Sequence, residues 1–155
     1  SIKKLNAKLK TFESKGDKIK DYVLDANDSF ISMVEFENGA LGTITSTRFA
    51  TGYSNRLELR IFGDKGAVKI EFDDPINEGN KFMFTDDINR EFSSREDKLK
   101  WEIIETKPSL NNFEKFINSI LHNNKHEPNF MRGAEIQKIL DKCSESSLSN
   151  SWVDI

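Results

Sequence analysis

The chain has few of the residues that signal covalent stapling or metal chemistry. Its 155 residues include one cysteine, two histidines and three prolines. A lone Cys143 cannot close an internal disulfide, so stability must come from a packed core, and the reducing cytoplasm is the expected location. Cys143 falls at a core-like helix position without a catalytic motif, and buried packing is expected of it. His122 and His126 are four apart, but Asn123, Asn124 and Pro128 break the helical spacing that would aim both at one metal. Surface histidines beside a helix C-terminus are the expectation, and no metal site is.

No apolar run approaches membrane-spanning length, and there is no apolar leader region. With 23 basic and 26 acidic residues the formal charge is −3, too balanced for a nucleic-acid or anionic-membrane partner. None of the eight glycines falls in a G-x-G-x-x-G or P-loop spacing. "GDKG" at 63–66 joins strand to strand with no helix N-terminus to receive an anion, so it reads as a hairpin turn. The acidic pairs Asp73/Asp74 and Asp86/Asp87 read as solvated turns.

What is present points to a folded domain. Hydrophobic residues make up 36% and charged residues 32%, a balance that disfavours disorder. A chain of this length suits one domain, residues 1–155, able to bury roughly two-thirds of its unfolded surface. The opening at Ser1, without an initiator Met, suggests a piece of something longer.

Residues 2–12 alternate, with Leu5, Ala7, Leu9 and Thr11 on one face and lysines on the other, the period of a half-buried strand. A charged loop over 13–27 follows, turning near Gly16 and Asp17. Residues 29–36 form the next strand, with Phe30, Val34 and Phe36 on one face and Ile31 and Met33 on the other. Asn38 and Gly39 predict a two-residue type I′ hairpin turn into a return strand over 40–47. Residues 56–62 alternate most cleanly, Leu57, Leu59 and Ile61 inward against Arg56, Glu58 and Arg60, and pair across "GDKG" with 67–72. Short strands are expected at 81–85 and 101–105, with loop over 91–98 and a break at Lys107 and Pro108.

The period then changes. Phe113, Phe116, Ile117, Ile120 and Leu121 make a helical stripe, with Asn111 and Glu114 spaced as a capping box. A second helix over 129–147 places Gly133, Ile136, Leu140, Cys143 and Ser147 on one face, small enough to lie close to a sheet. A short tail could be pinned by Trp152. The expected class is α+β: an open, mainly antiparallel sheet, helices packed on one face, and two C-terminal helices.

Residues 47–55 are more elaborate than a hairpin requires. Arg48 offers a planar donor fork, Tyr53 a phenol on a flat ring, and Asn55 an amide. These types suit hydroxyl-rich or carboxylate-bearing small molecules. They equally suit a surface loop in which Tyr53 covers a sheet edge and Arg48 pairs with an acid.

Three motifs, in order, carry a resemblance: F-x-N-G-A-x-G at 36–42, G-x-x-G at 63–66, and S-x-x-x-S-W-V at 147–153. With the segments around them, 34–72, 113–120 and 130–155, the chain resembles the C-terminal domain of the Gfo/Idh/MocA oxidoreductases, relatives of glucose–fructose oxidoreductase and inositol dehydrogenase. The resemblance implies a two-domain parent that transfers hydride between NAD or NADP and a sugar, polyol or related molecule. Its N-terminal Rossmann domain would hold the cofactor, the E-K-P lysine and the catalytic histidine. No residue here matches those motifs, so no catalytic or cofactor-binding residue carries over, and the fragment alone is expected to be inactive. Substrate contact carries over to Tyr53 and Asn55, and less directly to Arg48. The open sheet face implies a homo-oligomer, with Ile31, Met33 and the Arg56/Arg60 row facing another chain. The competing reading is a stand-alone module that binds a small polar ligand or dimerises, with no redox role.

Overall fold

The computed structural model describes residues 1–12, 18–19, 21–23, 26–53, 55–72, 81–86, 101–106 and 109–155. The turn expected at Gly16 and Asp17, the acids Asp73, Asp74 and Asp87, the loop over 91–98 and the break at Lys107 and Pro108 lie outside them. The chain divides into two compact units, residues 1–50 with 110–155, and residues 51–109.

In the first unit, β1 (Ile2–Lys10), β4 (Ser29–Phe36), β5 (Leu41–Thr47) and β10 (Val153–Asp154) form an antiparallel sheet in the order β10-β1-β4-β5. Between β1 and β4 the expected charged loop instead contains a two-stranded ribbon, β2 (Lys18–Ile19) with β3 (Tyr22–Val23). The helices are α1 (Asn112–His122) and α2 (Phe130–Ser149), and α2 packs on β1 and β10.

Alternation in β1 does what its period implies. Leu5 and Ala7 are buried beside Val34 of β4 and Cys143 of α2, with Ile139 and Val153 packed around them. On the other face Ile31 and Met33 are exposed, and Lys4 and Lys3 reach Glu35 at 3.0 and 3.5 Å.

The face of α2 against the sheet differs slightly from the expected one. Cys143 is buried as anticipated, but the neighbours on that side are Ile139 and Ser146, while Ile136 and Leu140 are about half exposed. Ser146 is the close-contact residue because its hydroxyl has a partner on each side. It accepts from the Ala7 amide at 2.9 Å and donates to the Ser151 carbonyl at 2.6 Å. Ser147 accepts from the Leu9 amide at 3.0 Å. Strand β10 pairs only with Lys4 and Leu5, so these two hydroxyls satisfy the β1 edge beyond the point where β10 stops. Trp152 carries Lys4 Nζ over its ring at 5.3 Å, which pins the tail as expected.

The β4–β5 turn corrects one expectation. Phe36 donates to Ala40 O and accepts from Gly39 N, both at 2.9 Å, and Gly39 alone in the turn has a positive φ, 83°. This is a longer loop closed by a left-handed glycine rather than a two-residue type I′ turn, which would need Asn38 at positive φ as well. Asn38 instead uses its side chain, accepting from Ala40 N at 3.2 Å.

Asn111 caps α1 through the complete box: Glu114 N donates to Asn111 Oδ1 at 2.9 Å and Asn111 N to Glu114 Oε2 at 2.8 Å. The stripe forms as its spacing predicts, yet α1 buries no residue, and Phe113 is 84% exposed.

The second unit is a meander, β6 (Leu57–Phe62), β7 (Ala67–Phe72), β8 (Lys81–Thr85) and β9 (Glu102–Ile103). Strand pairing puts Leu57, Leu59 and Ile61 on one face with Phe72, Ile70 and Val68. The expected alternation is present, but the face is not inward: Leu57, Leu59, Ile61 and Phe72 are all exposed. "GDKG" closes the hairpin with Gly63 N donating to Gly66 O at 2.8 Å. Gly66 has φ +152°, and a Cβ there would lie 2.4 Å from Thr85 O, so the turn admits no side chain at that point.

Candidate functional site

The three residues singled out in 47–55 fall on both sides of the unit boundary. Arg48 belongs to the first unit, Tyr53 and Asn55 to the second.

Arg48 follows β5 directly, and its backbone is anchored before its side chain begins. Its amide donates to Asp28 O at 2.9 Å. Just upstream the Ser29 and Thr47 hydroxyls are 2.7 Å apart, and Phe49 N donates to Thr47 Oγ1 at 3.1 Å. Phe49 meets Phe12 edge to face, with ring centroids 5.9 Å apart. These contacts hold the end of β5 against the start of β4.

A cavity of about 290 Å³ opens there, lined by Leu9, Phe30 and Leu140 on its apolar side and by Asp28, Ser46 and Arg48 on its polar side. Asp28 was not anticipated from the sequence. Its Oδ2 accepts from Phe12 N at 2.7 Å, while its Oδ1 is buried and has no partner. The available signal was positional, an acid immediately before a strand and free to fold back on the preceding one. Cys143 also borders this cavity. Burial pushes its thiol up from the ordinary value, only partly opposed by the nearby Ser32 hydroxyl, which favours the protonated thiol.

In the second unit Gly52 takes φ 93°, and Tyr53 and Asn55 are both exposed. Arg56 lies with its guanidinium 5.4 Å from the Tyr53 ring centroid. It also reaches Glu58 at 3.1 Å and Glu71 at 2.9 Å, and Lys69 reaches Glu71 at 2.6 Å. Glu58 is held below the ordinary carboxylate value mainly by its hydrogen bond from Arg60, and Glu71 mainly by that from Lys69. Alternation placed Arg56 in an outward charged row but did not show that it fixes Tyr53.

The histidines and helix starts offer less. His126 Nε2 lies 2.9 Å from Asn118 Oδ1. Among the described residues no group of three potential metal ligands occurs, and no helix is long and apolar enough to cross a membrane.

Comparison with known proteins gives this arrangement its class. The family model described as "Oxidoreductase family, C-terminal alpha/beta domain", that of the Gfo/Idh/MocA proteins, matches residues 6–155. Levoglucosan dehydrogenase of Pseudarthrobacter phenanthrenivorans is 23% identical over 154 residues, covering 85% of this chain and 37% of that protein. Among solved structures, an oxidoreductase domain protein from Kribbella flavida superposes with a TM-score of 0.75 at 24% identity, covering 99% of this chain and 44% of that one. Levoglucosan dehydrogenase in complex with NADH and levoglucosan gives a TM-score of 0.75 at 22% identity, covering 99% of this chain and 45% of that one. At these identities the structural likeness establishes the fold. The chain belongs to the Gfo/Idh/MocA oxidoreductase family and carries its C-terminal α/β domain, spanning less than half the length of these relatives.

Proposed function

We propose that this chain is the substrate-side domain of a two-domain enzyme that transfers hydride between NAD or NADP and a sugar, polyol or related small molecule. The family match over 6–155 carries the reading. The relative solved with NADH and levoglucosan supports the substrate and cofactor classes.

No dinucleotide-binding glycine motif occurs in the sequence, which supports a cofactor held elsewhere. Helix N-termini are favourable pyrophosphate sites. Asn111 and Asn129 instead cap α1 and α2, taking the amides of Glu114 and Arg132, and Gly63 and Gly66 close an antiparallel hairpin. On this reading the cofactor is held by a Rossmann half outside this sequence, and no chemical step is assigned to this chain. Its contribution is to bind and orient: Arg48 donates from its fork, Tyr53 supplies a flat ring and phenol, and Asn55 supplies an amide.

The parent assembles as a homo-oligomer through its open sheet faces: in the first unit Ile31 and Met33 stand exposed, and in the second the Arg56/Arg60 row is exposed. Scattering-based mass measurement tests this, and a strictly monomeric parent would overturn it. For the functional reading, the purified chain is assayed with NAD and NADP against sugars and polyols, alone and joined to its nucleotide-binding half. No turnover alone and turnover when joined is the expected result. Turnover by the chain alone, abolished by Tyr53→Phe or Asn55→Ala, would overturn it.

A further inference from the structure

We infer that Asn38 and Gly39 form a self-modification site, in which the Gly39 backbone nitrogen displaces ammonia from the Asn38 carboxamide whenever the β4–β5 turn opens. The folded turn holds this reaction off. The inference is independent of the substrate-side reading above.

Asn38 is the only asparagine in the sequence followed by glycine. Glycine has no Cβ, so the nitrogen after Asn38 reaches the carboxamide carbon without the crowding that a side chain would cause. In the folded turn that nitrogen is occupied. Gly39 N donates to Phe36 O at 2.9 Å, and a nitrogen in this bond neither loses its proton easily nor swings towards Cγ. The carboxamide is occupied as well, its Oδ1 accepting from Ala40 N at 3.2 Å. Packing adds little protection: residues 37–40 are all exposed, and a Cβ built on Gly39 would meet nothing within 4 Å. Hydrogen bonds, each with a small net contribution, therefore stand between the closed turn and the reactive one.

Once the turn opens, the bond from Gly39 N to Asn38 Cγ forms and the Cγ–Nδ2 bond breaks. The Gly39 amide proton passes to solvent, and the side-chain nitrogen leaves as ammonia. Water then opens the cyclic imide. Attack at Cγ leaves aspartate, whereas attack at the main-chain carbonyl leaves isoaspartate, with the chain running through Cβ. The second product lengthens the turn by one backbone atom. The strands cannot absorb it by sliding. Val34, a core residue, is paired with Gly42, where a Cβ would lie 3.0 Å from Val34 Cγ2. A slip by one residue would set a side chain there and turn the strand's faces over. The strain falls instead on the turn bonds that join Phe36 to Gly39 and Ala40, beside a new carboxylate next to Glu37. Because ammonia is lost, the change is one-way.

The test incubates the purified 155-residue chain in mildly alkaline buffer, with and without denaturing urea, and maps its peptides by mass spectrometry. Conversion appears as the mass difference between amide and acid, with aspartate and isoaspartate peptides separated by chromatography. In urea Asn38 should convert ahead of every other asparagine. Without urea its rate should fall on the order of tenfold or more, because the turn bonds must break first. Gly39→Ala in urea, where folding has no part, should slow conversion severalfold by crowding the attacking nitrogen. Another asparagine converting first in urea would overturn the inference. So would an unchanged rate in Gly39→Ala, or equal Asn38 rates with and without urea. The substrate-side reading is decided separately, by the turnover of the joined protein.

Discussion

Glu58 and Glu71 face each other directly across β6 and β7, two carboxylates in one cross-strand pair. Arg60 and Lys69 form the next pair on the same face. Like charges directly opposite weaken a sheet, and here each is compensated by a neighbour of opposite sign. Arg60 bonds Glu58, Lys69 bonds Glu71, and Arg56 reaches both glutamates. The polar face of the second sheet is therefore a closed charge network, with Tyr53 resting on its terminal arginine.

Arg56→Gln should accordingly do two things. It removes the cation shared by Glu58 and Glu71, leaving each with only its own partner, and should lower the melting temperature, less so at high salt. It also frees the Tyr53 ring, visible as a change in tyrosine fluorescence and in Tyr53 ring shifts. An unaltered Tyr53 environment would show that the ring is held by something else.

Acid should weaken the same network. Glu58 and Glu71 are held below the ordinary glutamate value of 4.5 when folded. A depressed folded value contributes stability above the unfolded value, lost as pH falls through the folded one. Melting temperature should thus fall as the pH drops below about 4.5, and Glu58→Gln with Glu71→Gln should flatten that dependence. High salt at neutral pH should mimic part of the effect. A profile equally steep in the double variant would place the titrating groups elsewhere.

Ser146→Ala should cost about 1–3 kcal/mol, because it leaves the Ala7 amide and the Ser151 carbonyl without their shared hydroxyl. Chemical denaturation reads the loss, and faster hydrogen exchange at Ala7 distinguishes a local cause from a general one.

Much of this was legible in the sequence. Period-2 alternation located β1, β4, β6 and β7, and the change to period 3.6 located both helices, because the period reports side-chain direction whatever packs against it. Whether a face is covered is a different matter. Leu57, Leu59 and Ile61 were correctly placed on one face, yet they are exposed, since alternation carries no information about a partner layer. Asp28 was missed because its role depends on Phe12 and Arg48, residues brought together only when β1, β4 and β5 pair. The grouping of Arg48 with Tyr53 and Asn55 followed from closeness in the chain, whereas the compact units divide between them.

Asn111→Ala should lower α1 stability by about 1 kcal/mol. The effect should be plain because α1 buries no residue and has little packing to hide behind. Far-ultraviolet circular dichroism with secondary-shift analysis over 112–122 measures it. Undiminished helicity would mean that contacts other than the cap sustain the helix.

Leu5→Ala removes a fully buried side chain from a core of only four buried apolar residues among those described. A loss of about 2–5 kcal/mol is expected, enough to threaten folding of the first unit. Loss of near-ultraviolet signal from Trp152, which rests on the adjacent Lys4, would report it.

The bond between Ala7 and Ser146 joins positions 139 residues apart, and the whole of residues 51–109 lies between them. During synthesis, the edge of β1 must wait for residues 146 and 147 to emerge from the ribosome, while the intervening meander can pair as soon as it appears. Chain order and assembly order within this domain therefore differ: its first strand is among the last to be sealed. A chain cut before Ser146 would leave that edge open to strands of other chains, so removing the residues from Ser146 onward is expected to yield aggregates rather than a shortened domain.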